Sequence, residues 1–226
     1  MPRPTLIPAR AGAEAVALPR RTLYRTLRSW LRPPLTRFFP LHVEGLGHLP
    51  RHGPYIIAAN HHNYLDGVVL GLTVPEPIAF IVMPRVYRAT PFHPPFHDRI
   101  GSIPINLERP DVGGLRRALR ALERGAIIGI FPEGPFSRHG QLEAGLPGVG
   151  LLALRARVAV VPVAIEGTYE ALQGRRFYLP RRRPVTVRFG APRRFHTDGE
   201  HRRPARAAVA RRIMDDIAGL LDRSAR

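Results

Sequence analysis

The sequence predicts an α/β fold: one domain with a central mixed, largely parallel sheet flanked by helices, plus an N-terminal amphipathic helix. Three observations predict it. Short apolar runs of strand length recur along the chain. Segments with helical apolar spacing fall between them. No internal repeat and no long interior linker divides the 226 residues.

Taken in order, residues 1–19 are rich in Pro, Ala and Arg and read as a mobile tail. Their apolar stretch, residues 11–18, is interrupted by Glu14 and is too short for a secretory signal. Residues 20–40 form a separate segment. Leu23, Tyr24, Leu27, Trp30 and Leu31 recur on one helical face, and Arg20, Arg21, Arg25, Arg28 and Arg32 fill the other. Pro33 and Pro34 are expected to end this helix, because Pro lacks an N–H and restricts the residue before it. Phe38 and Phe39 follow. A basic amphipathic helix with Trp and Phe has the pattern of a membrane-surface helix. The same pattern suits a helix packed on the domain with an Arg-rich outer face. No run approaches the roughly 18–20 apolar residues that a spanning helix needs.

Residues 41–226 supply the domain. Strands are expected at 41–45, 55–60, 78–82, 126–131, 158–165 and 185–190. Several are continuously apolar, which suits strands covered on both faces. Asp111 caps a helix in which Leu115, Ala118, Leu119 and Leu122 share a face and Gly125 marks the stop. A short helix is expected at 148–156. The last helix runs from about Pro204 to Asp222, with Val209, Ile213, Ile217 and Leu220 on one stripe. Arg181 to Arg183, between Pro180 and Pro184, read as a surface loop.

Composition narrows function by exclusion. With no Cys, thiol catalysis, Cys-ligated zinc and disulfides are impossible. The net charge is +18, and every one of the 35 basic residues is Arg. Such a balance predicts an anionic partner: nucleic acid, phosphate-bearing molecules or an acidic membrane. The arginines are dispersed and no nucleic-acid motif or aromatic platform accompanies them, so specific nucleic-acid binding is not expected.

Chemistry concentrates in AANHHNYLDGVVL (58–70). An apolar strand ends at Asn60, polar groups follow at once, and a helix-like run resumes after Asp66. Ligands collect at strand C-terminal ends in such sheets. A His beside a carboxylate is the minimum apparatus for removing a hydroxyl proton. His62 and Asp66 are four apart and would share a helical face. His61 and Asp66 are about 140° apart on an ideal helix and meet only if His61 lies in a non-helical turn before it. Spacing alone favours His62. The other histidines are scattered and read as surface residues.

The same segment resembles the His-x4-Asp motif of the glycerolipid acyltransferases, which include the 1-acylglycerol-3-phosphate acyltransferases. That family typically reads Asn-His-x-Ser-x-x-Asp, which falls on Asn60, His61 and Asp66, with Asn63 at the Ser position. GSIPI (101–105), FPEG (131–134) and VVPVAIEGT (160–168) resemble the family's later blocks, in order. The resemblance covers roughly residues 41–190 and makes residues 41–226 an acyltransferase domain.

What the resemblance implies is acyl transfer from acyl-CoA or acyl-acyl-carrier-protein to a lysolipid hydroxyl, lysophosphatidic acid being the family default. His61 would be the general base and Asp66 would orient it. Asn60, Gly101, Glu133 and Gly134 would belong to the substrate site. No metal or other cofactor is implied, the acyl donor being a co-substrate. The +18 charge then points to an anionic membrane surface, and the expected location is cytoplasmic and peripheral to the membrane.

Three departures bear on the acceptor. Phe136 stands where the family usually has a phosphate-reading Arg, Leu107 where the second block usually ends in Arg, and Leu146 where a basic residue is often seen. A lost charge-assisted phosphate contact costs about 1.5–3 kcal/mol. Arg109 and Arg138 are the nearest substitutes, or the acceptor is a different lysolipid, a glycolipid or an apolar alcohol. The altered positions also fit a protein that binds lipid or acyl carrier without turnover.

Overall fold

The computed structural model of the chain describes residue 19 and residues 21–106, 111–172, 180–196 and 203–222. Its strands are β1 (Leu41–Glu44), β2 (Tyr55–Ala59), β3 (Ile78–Val82), β4 (Ile103–Pro104), β5 (Ile127–Ile130), β6 (Ala159–Glu166) and β7 (Val185–Phe189). They form one seven-stranded sheet in the order β1-β7-β6-β2-β5-β3-β4. From β6 to β4 all neighbours are parallel, whereas β7 runs antiparallel to β6 with β1 parallel to β7. The expected mixed, largely parallel sheet is therefore present.

β2 lies between β5 and β6, with Ile56 opposite Ile128 and Val160, and all its residues are buried. A strand paired on both sides and covered on both faces gains nothing from alternation, so its sequence is uniformly apolar. Both edges are short. β4 has two residues and contains Pro104. β1 has four, mostly exposed, and its Glu44 receives a hydrogen bond from Arg188 of β7.

The helices are α1 (Arg21–Phe38), α2 (Tyr64–Thr73), α3 (Pro84–Tyr87), α4 (His93–Ile100), α5 (Val112–Glu123), α6 (Pro147–Ala156), α7 (Thr168–Ala171) and α8 (Arg203–Leu221). Ile56, Ile128 and Val160 face a core shared with Ala118 of α5, Leu152 of α6 and Ile213 of α8. Ile57, Ile127 and Val161 face the opposite core, with Val69 and Leu70 of α2 and with Phe39. Crossover handedness explains the partition. The step from β2 to β3 puts α2 on one face, and the step from β3 to β4 continues in the same direction. A right-handed connection therefore places α3 and α4 on the α2 face, while the return steps place α5 and α6 on the other.

Local signals set the helix ends. Asp111 accepts a hydrogen bond from the Gly114 N–H at 2.7 Å and opens α5, and Gly125 beyond its end has φ 83°. The stripe of α8 buries Val209, Ile213, Ile217 and Leu220 as expected. Arg181 to Arg183 are exposed. The short α3, α4, α7 and β4 lack a periodic signal and were not foreseen in the sequence.

Two expectations for the first helix are corrected. α1 does not stop at Pro33 and Pro34 but continues to Phe38. Ser29 and Trp30, whose carbonyls would otherwise accept the missing N–H groups, are exposed residues, and packing of Leu35 and Phe39 against the core holds the last turn. The docking face also differs. Tyr24 donates its hydroxyl to the Gly71 and Val74 carbonyls, and Arg28 donates to the Leu72 carbonyl at 3.1 Å. These acceptors are the carbonyls at the C-terminal end of α2, which lack intrahelical donors and draw polar groups toward them. Leu27, Trp30 and Leu31 of the expected apolar stripe are left exposed, Trp30 at 79%. No helix among the described residues is long and apolar enough to cross a membrane.

α6 and α8 approach closely at Gly150, where a Cβ would overlap the Arg206 carbonyl oxygen. Gly150→Ala gains about 1 kcal/mol of helix propensity. The overlap with fixed backbone costs about 1–3 kcal/mol and outweighs it. The variant is expected to unfold at lower urea concentration than the wild type, with an unchanged slope.

Candidate active site

The C-terminal ends of β2, β5 and β6 are adjacent and carry the polar residues. β2 ends at Ala59, and Asn60 is clamped next to it. Its amide oxygen accepts from the Ile165 N–H at 2.7 Å and its amide nitrogen donates to the Ile165 carbonyl at 2.8 Å. Asn60 thus copies a strand pairing with its side chain and fixes where the following turn begins.

That turn is not helical. Asn63 is the N-cap of α2: its side-chain oxygen accepts from the Leu65 N–H, and Asp66 reaches back to the Asn63 N–H at 2.8 Å. This is a capping box with Asp in place of the usual Glu or Gln. The same Asp66 oxygen, Oδ2, also accepts from the His62 N–H at 2.6 Å and lies 2.8 Å from His61 Nδ1. Asp66 Oδ1 is buried with no hydrogen-bond partner among the described residues.

His61, not His62, therefore meets Asp66, by the non-helical route that spacing alone disfavoured. The His62 ring turns away to Thr168 Oγ1, 3.0 Å from Nδ1, and to the Asn60 amide, 3.3 Å from Nε2. Asn63 donates to the Thr168 carbonyl at 2.6 Å. Thr168 opens α7 directly after β6, so it ties the turn after β2 to the end of the neighbouring strand.

The geometry sets the tautomer of neutral His61. Asp66 Oδ2 already accepts two backbone N–H groups, so it accepts from Nδ1 as well, and Nε2 keeps a lone pair. The ring stacks on Phe131 at 3.7 Å between centroids and 7° between planes. Phe136 meets its edge at 4.5 Å and meets Tyr64 at 4.8 Å. The His61 side chain is 12% exposed. The result is a fixed imidazole between aromatic walls, which can accept a proton from a hydroxyl brought to Nε2.

Glu133 holds the backbone of this turn. Its Oε1 accepts from the His61 N–H at 2.8 Å and its Oε2 from the Glu143 N–H at 2.9 Å. Both oxygens thus hold backbone in place. Burial pushes its carboxyl from 4.5 up to about 7, against the lowering effect of the two N–H bonds; neighbouring Glu143 and Asp66 add to the rise. Gly134 has φ 81° and turns the chain, and a Cβ there would press on Leu146. Leu146 packs over this turn. Ser137 donates its N–H to the His61 carbonyl at 2.8 Å.

The structure thus brings Asn60, His61, Asp66, Glu133 and Gly134 together. Arg138 is exposed on the same loop, its carbonyl accepting from Tyr169 at 3.1 Å. Gly101 leads into β4, three strands along the sheet from β2, where it closes α4 with φ 70° and packs against Pro19. Arg109 and Leu107 lie outside the described residues. Phe131 and Thr168 fall within the quoted FPEG and VVPVAIEGT blocks but were given no role of their own from the sequence. Both sit where an apolar strand gives way to polar chain, and that signal could have marked them.

A family model described as Acyltransferase matches residues 40–166, more than half of the chain. The chain belongs to this acyltransferase family. It is 30% identical over 142 residues to a chloroplastic 1-acyl-sn-glycerol-3-phosphate acyltransferase of Arabidopsis thaliana, a match covering 62% of this chain and 39% of that protein. A 1-acyl-sn-glycerol-3-phosphate acyltransferase of Bacillus subtilis is 25% identical over 120 residues, covering 53% of this chain and 59% of that protein. This acyltransferase chain thus spans well under two thirds of the length of these curated relatives. The crystal structure of the 1-acyl-sn-glycerophosphate (LPA) acyltransferase from Thermotoga maritima shares the fold, with a TM-score of 0.68 at 23% identity over 91% of this chain and 78% of that one.

The raised Glu133 carboxyl makes a signed prediction. A carboxyl raised in the folded state favours folding below its unfolded value of 4.5, and that stability is lost as pH rises through about 7. The wild-type melting temperature should therefore fall relative to Glu133→Gln between about pH 5 and about pH 8. A difference that stays constant over that range would show that Glu133 does not titrate there.

Proposed function

We propose that the chain transfers an acyl group from an acyl thioester, on CoA or an acyl carrier protein, to a lysolipid hydroxyl. The observation that carries this reading is the His61–Asp66 pair beyond the end of β2, its Nε2 without a hydrogen-bond partner among the described residues, in a chain of the acyltransferase family. His61 Nε2 takes the hydroxyl proton as the oxygen attacks the thioester carbon. A C–O bond forms, the C–S bond breaks, and the thiol leaves with the proton returned from His61. Asp66 holds the ring and stabilises the imidazolium between those steps. The N–H groups of His61, His62, Asn63 and Ser137 are already committed, so the oxyanion draws on other donors. The reaction as proposed calls on no metal or redox group.

Lysophosphatidic acid is the first acceptor to test, because the relatives are named for it. One observation favours a second acceptor class. Phe136, at the position where the family usually has Arg, packs on the edge of His61 and beside Tyr64. That corner offers an aromatic surface, which suits a lysolipid or alcohol without phosphate beside the reacting hydroxyl.

The protein is further proposed to work peripherally on an anionic membrane. The exposed Leu27, Trp30 and Leu31 of α1 support this, since docking through Tyr24 and Arg28 leaves the apolar stripe outward. The net charge of +18 adds long-range attraction to anionic lipid.

In an acyl-transfer assay, His61→Ala should lose about 10²–10⁴-fold in turnover. Activity surviving His61→Ala but lost in His62→Ala would overturn the assignment of the base. The acceptor panel should hold lysophosphatidic acid, other lysophospholipids and phosphate-free alcohols, and turnover on none of them would favour lipid binding without catalysis. Replacing Leu27, Trp30 and Leu31 by Ser leaves the core intact and should weaken sedimentation with anionic vesicles by about tenfold or more. Unchanged sedimentation would remove α1 from the membrane reading.

A further inference from the structure

Exposed large apolar side chains are not spread evenly over this molecule. Among the described residues, Leu27, Trp30, Leu31 and Phe38 of α1, Tyr64 and Val68 of α2, and Phe92 and Phe96 at α4 all lie on one helical layer. Among the described residues the opposite layer, α5, α6 and α8, exposes only Val112 at the tip of α5, and the remaining two, Val43 and Leu46, lie at the β1 edge of the sheet. Phe92 is 83% exposed, more than any other large apolar residue described, and Phe96 is 55% exposed one turn later. The Phe96 N–H donates to the Phe92 carbonyl, which puts both rings on the same face of the first turn. Arg88, four residues before Phe92, and Arg99, three after Phe96, are exposed as well. The other side of α4 is anchored. His97 is buried, bonded to Ser102 Oγ and stacked on Tyr87, while Tyr87 bonds to Asp98. The phenylalanines are thus carried outward on a held scaffold.

We propose that Phe92 and Phe96, flanked by Arg88 and Arg99, are a second membrane-contact point, so that the α1–α2–α4 layer lies against an anionic lipid surface. Charge and continuity both favour lipid as the occupant. Arginines flanking outward aromatic rings match a headgroup region over acyl chains. The surface is also continuous with α1, because Pro19, just before α1, packs on Gly101 at the end of α4. With contacts at both places, the layer is fixed in orientation rather than tethered at one end. The inference rests on the peripheral membrane reading of α1, but concerns a separate segment.

Trp30 is the only Trp in the chain, so one probe can be moved. Two proteins are compared: the wild type, reporting from Trp30, and the double substitution Trp30→Phe with Phe92→Trp, reporting from position 92. Each is mixed with phosphatidylglycerol-containing vesicles carrying brominated acyl chains. The expected result is a blue shift and quenching from both positions. Quenching at Trp30 but water-like emission from position 92 would overturn the second contact while leaving α1 in place. Quenching at neither position would remove the membrane reading as a whole. A spectral change at position 92 with an acidic acyl carrier protein but not with vesicles would assign the patch to a protein partner instead, and would also overturn the proposal. Phe92→Ser with Phe96→Ser, both outside the core, should lower vesicle partitioning by about tenfold or more. Unchanged partitioning with an unchanged thermal melt would count against it.

Discussion

One carboxylate oxygen, Asp66 Oδ2, holds the site in shape. It gathers the His61 ring and the His62 and Asn63 N–H groups. Charge-assisted bonds of this kind contribute about 1.5–3 kcal/mol each. They do so at the N-terminus of α2, where the helix dipole favours negative charge. The atom that caps the helix is therefore the atom that aims the imidazole. Moving the helix would move the ring, and releasing the ring would leave a buried carboxylate with one donor fewer. Folding of the turn and readiness of His61 depend on one interaction.

The sheet order converts that local motif into a site. β2 has β6 on one side and β5 on the other, so each exit lies about 5 Å from β2, one on either flank of the His61 turn. From the β6 side, Thr168 fastens His62 and Asn63. From the β5 side, Phe131 supplies the stacking surface and Glu133 the acceptor for the His61 N–H. Three segments distant in sequence thus converge because their strands are neighbours. Glu133 is costly in this position, since its carboxyl is buried beside Asp66 and Glu143. It is retained where it satisfies two backbone donors that would otherwise be buried and unpaired.

Much of this was legible in the sequence, for identifiable reasons. The apolar runs of β2, β5 and β6 are long, unbroken and bounded by polar residues, so their existence and burial could be read directly. Asp111 and Gly125 announced the limits of α5 through capping chemistry. The single-turn helices α3 and α7 and the two-residue β4 were not legible because one turn, or one alternation, is too short for periodicity to register. The end of α1 was misplaced because proline chemistry was weighed without the packing of Leu35 and Phe39. The outward Trp30 was not legible because the free carbonyls of α2 that captured Tyr24 and Arg28 exist only once α2 has folded. The choice between His61 and His62 failed on spacing for a similar reason. Helical geometry was applied to residues that the Asn63 cap leaves outside the helix, and the family resemblance pointed to the ring that meets Asp66 where spacing did not.

The blunt margins of the sheet bear on how copies of this chain meet one another. A parallel sheet this apolar would be prone to stacking edge to edge if a long strand lay open at its border. One border is a two-residue strand containing Pro104, which has no N–H to offer a newcomer. The other is four residues long, with an exposed Glu44 tied to Arg188. Neither gives a second molecule a ladder to extend. Crowded together on a surface, such molecules can sit side by side without knitting into fibrils. An outward-facing apolar layer is then a smaller aggregation hazard than its composition suggests.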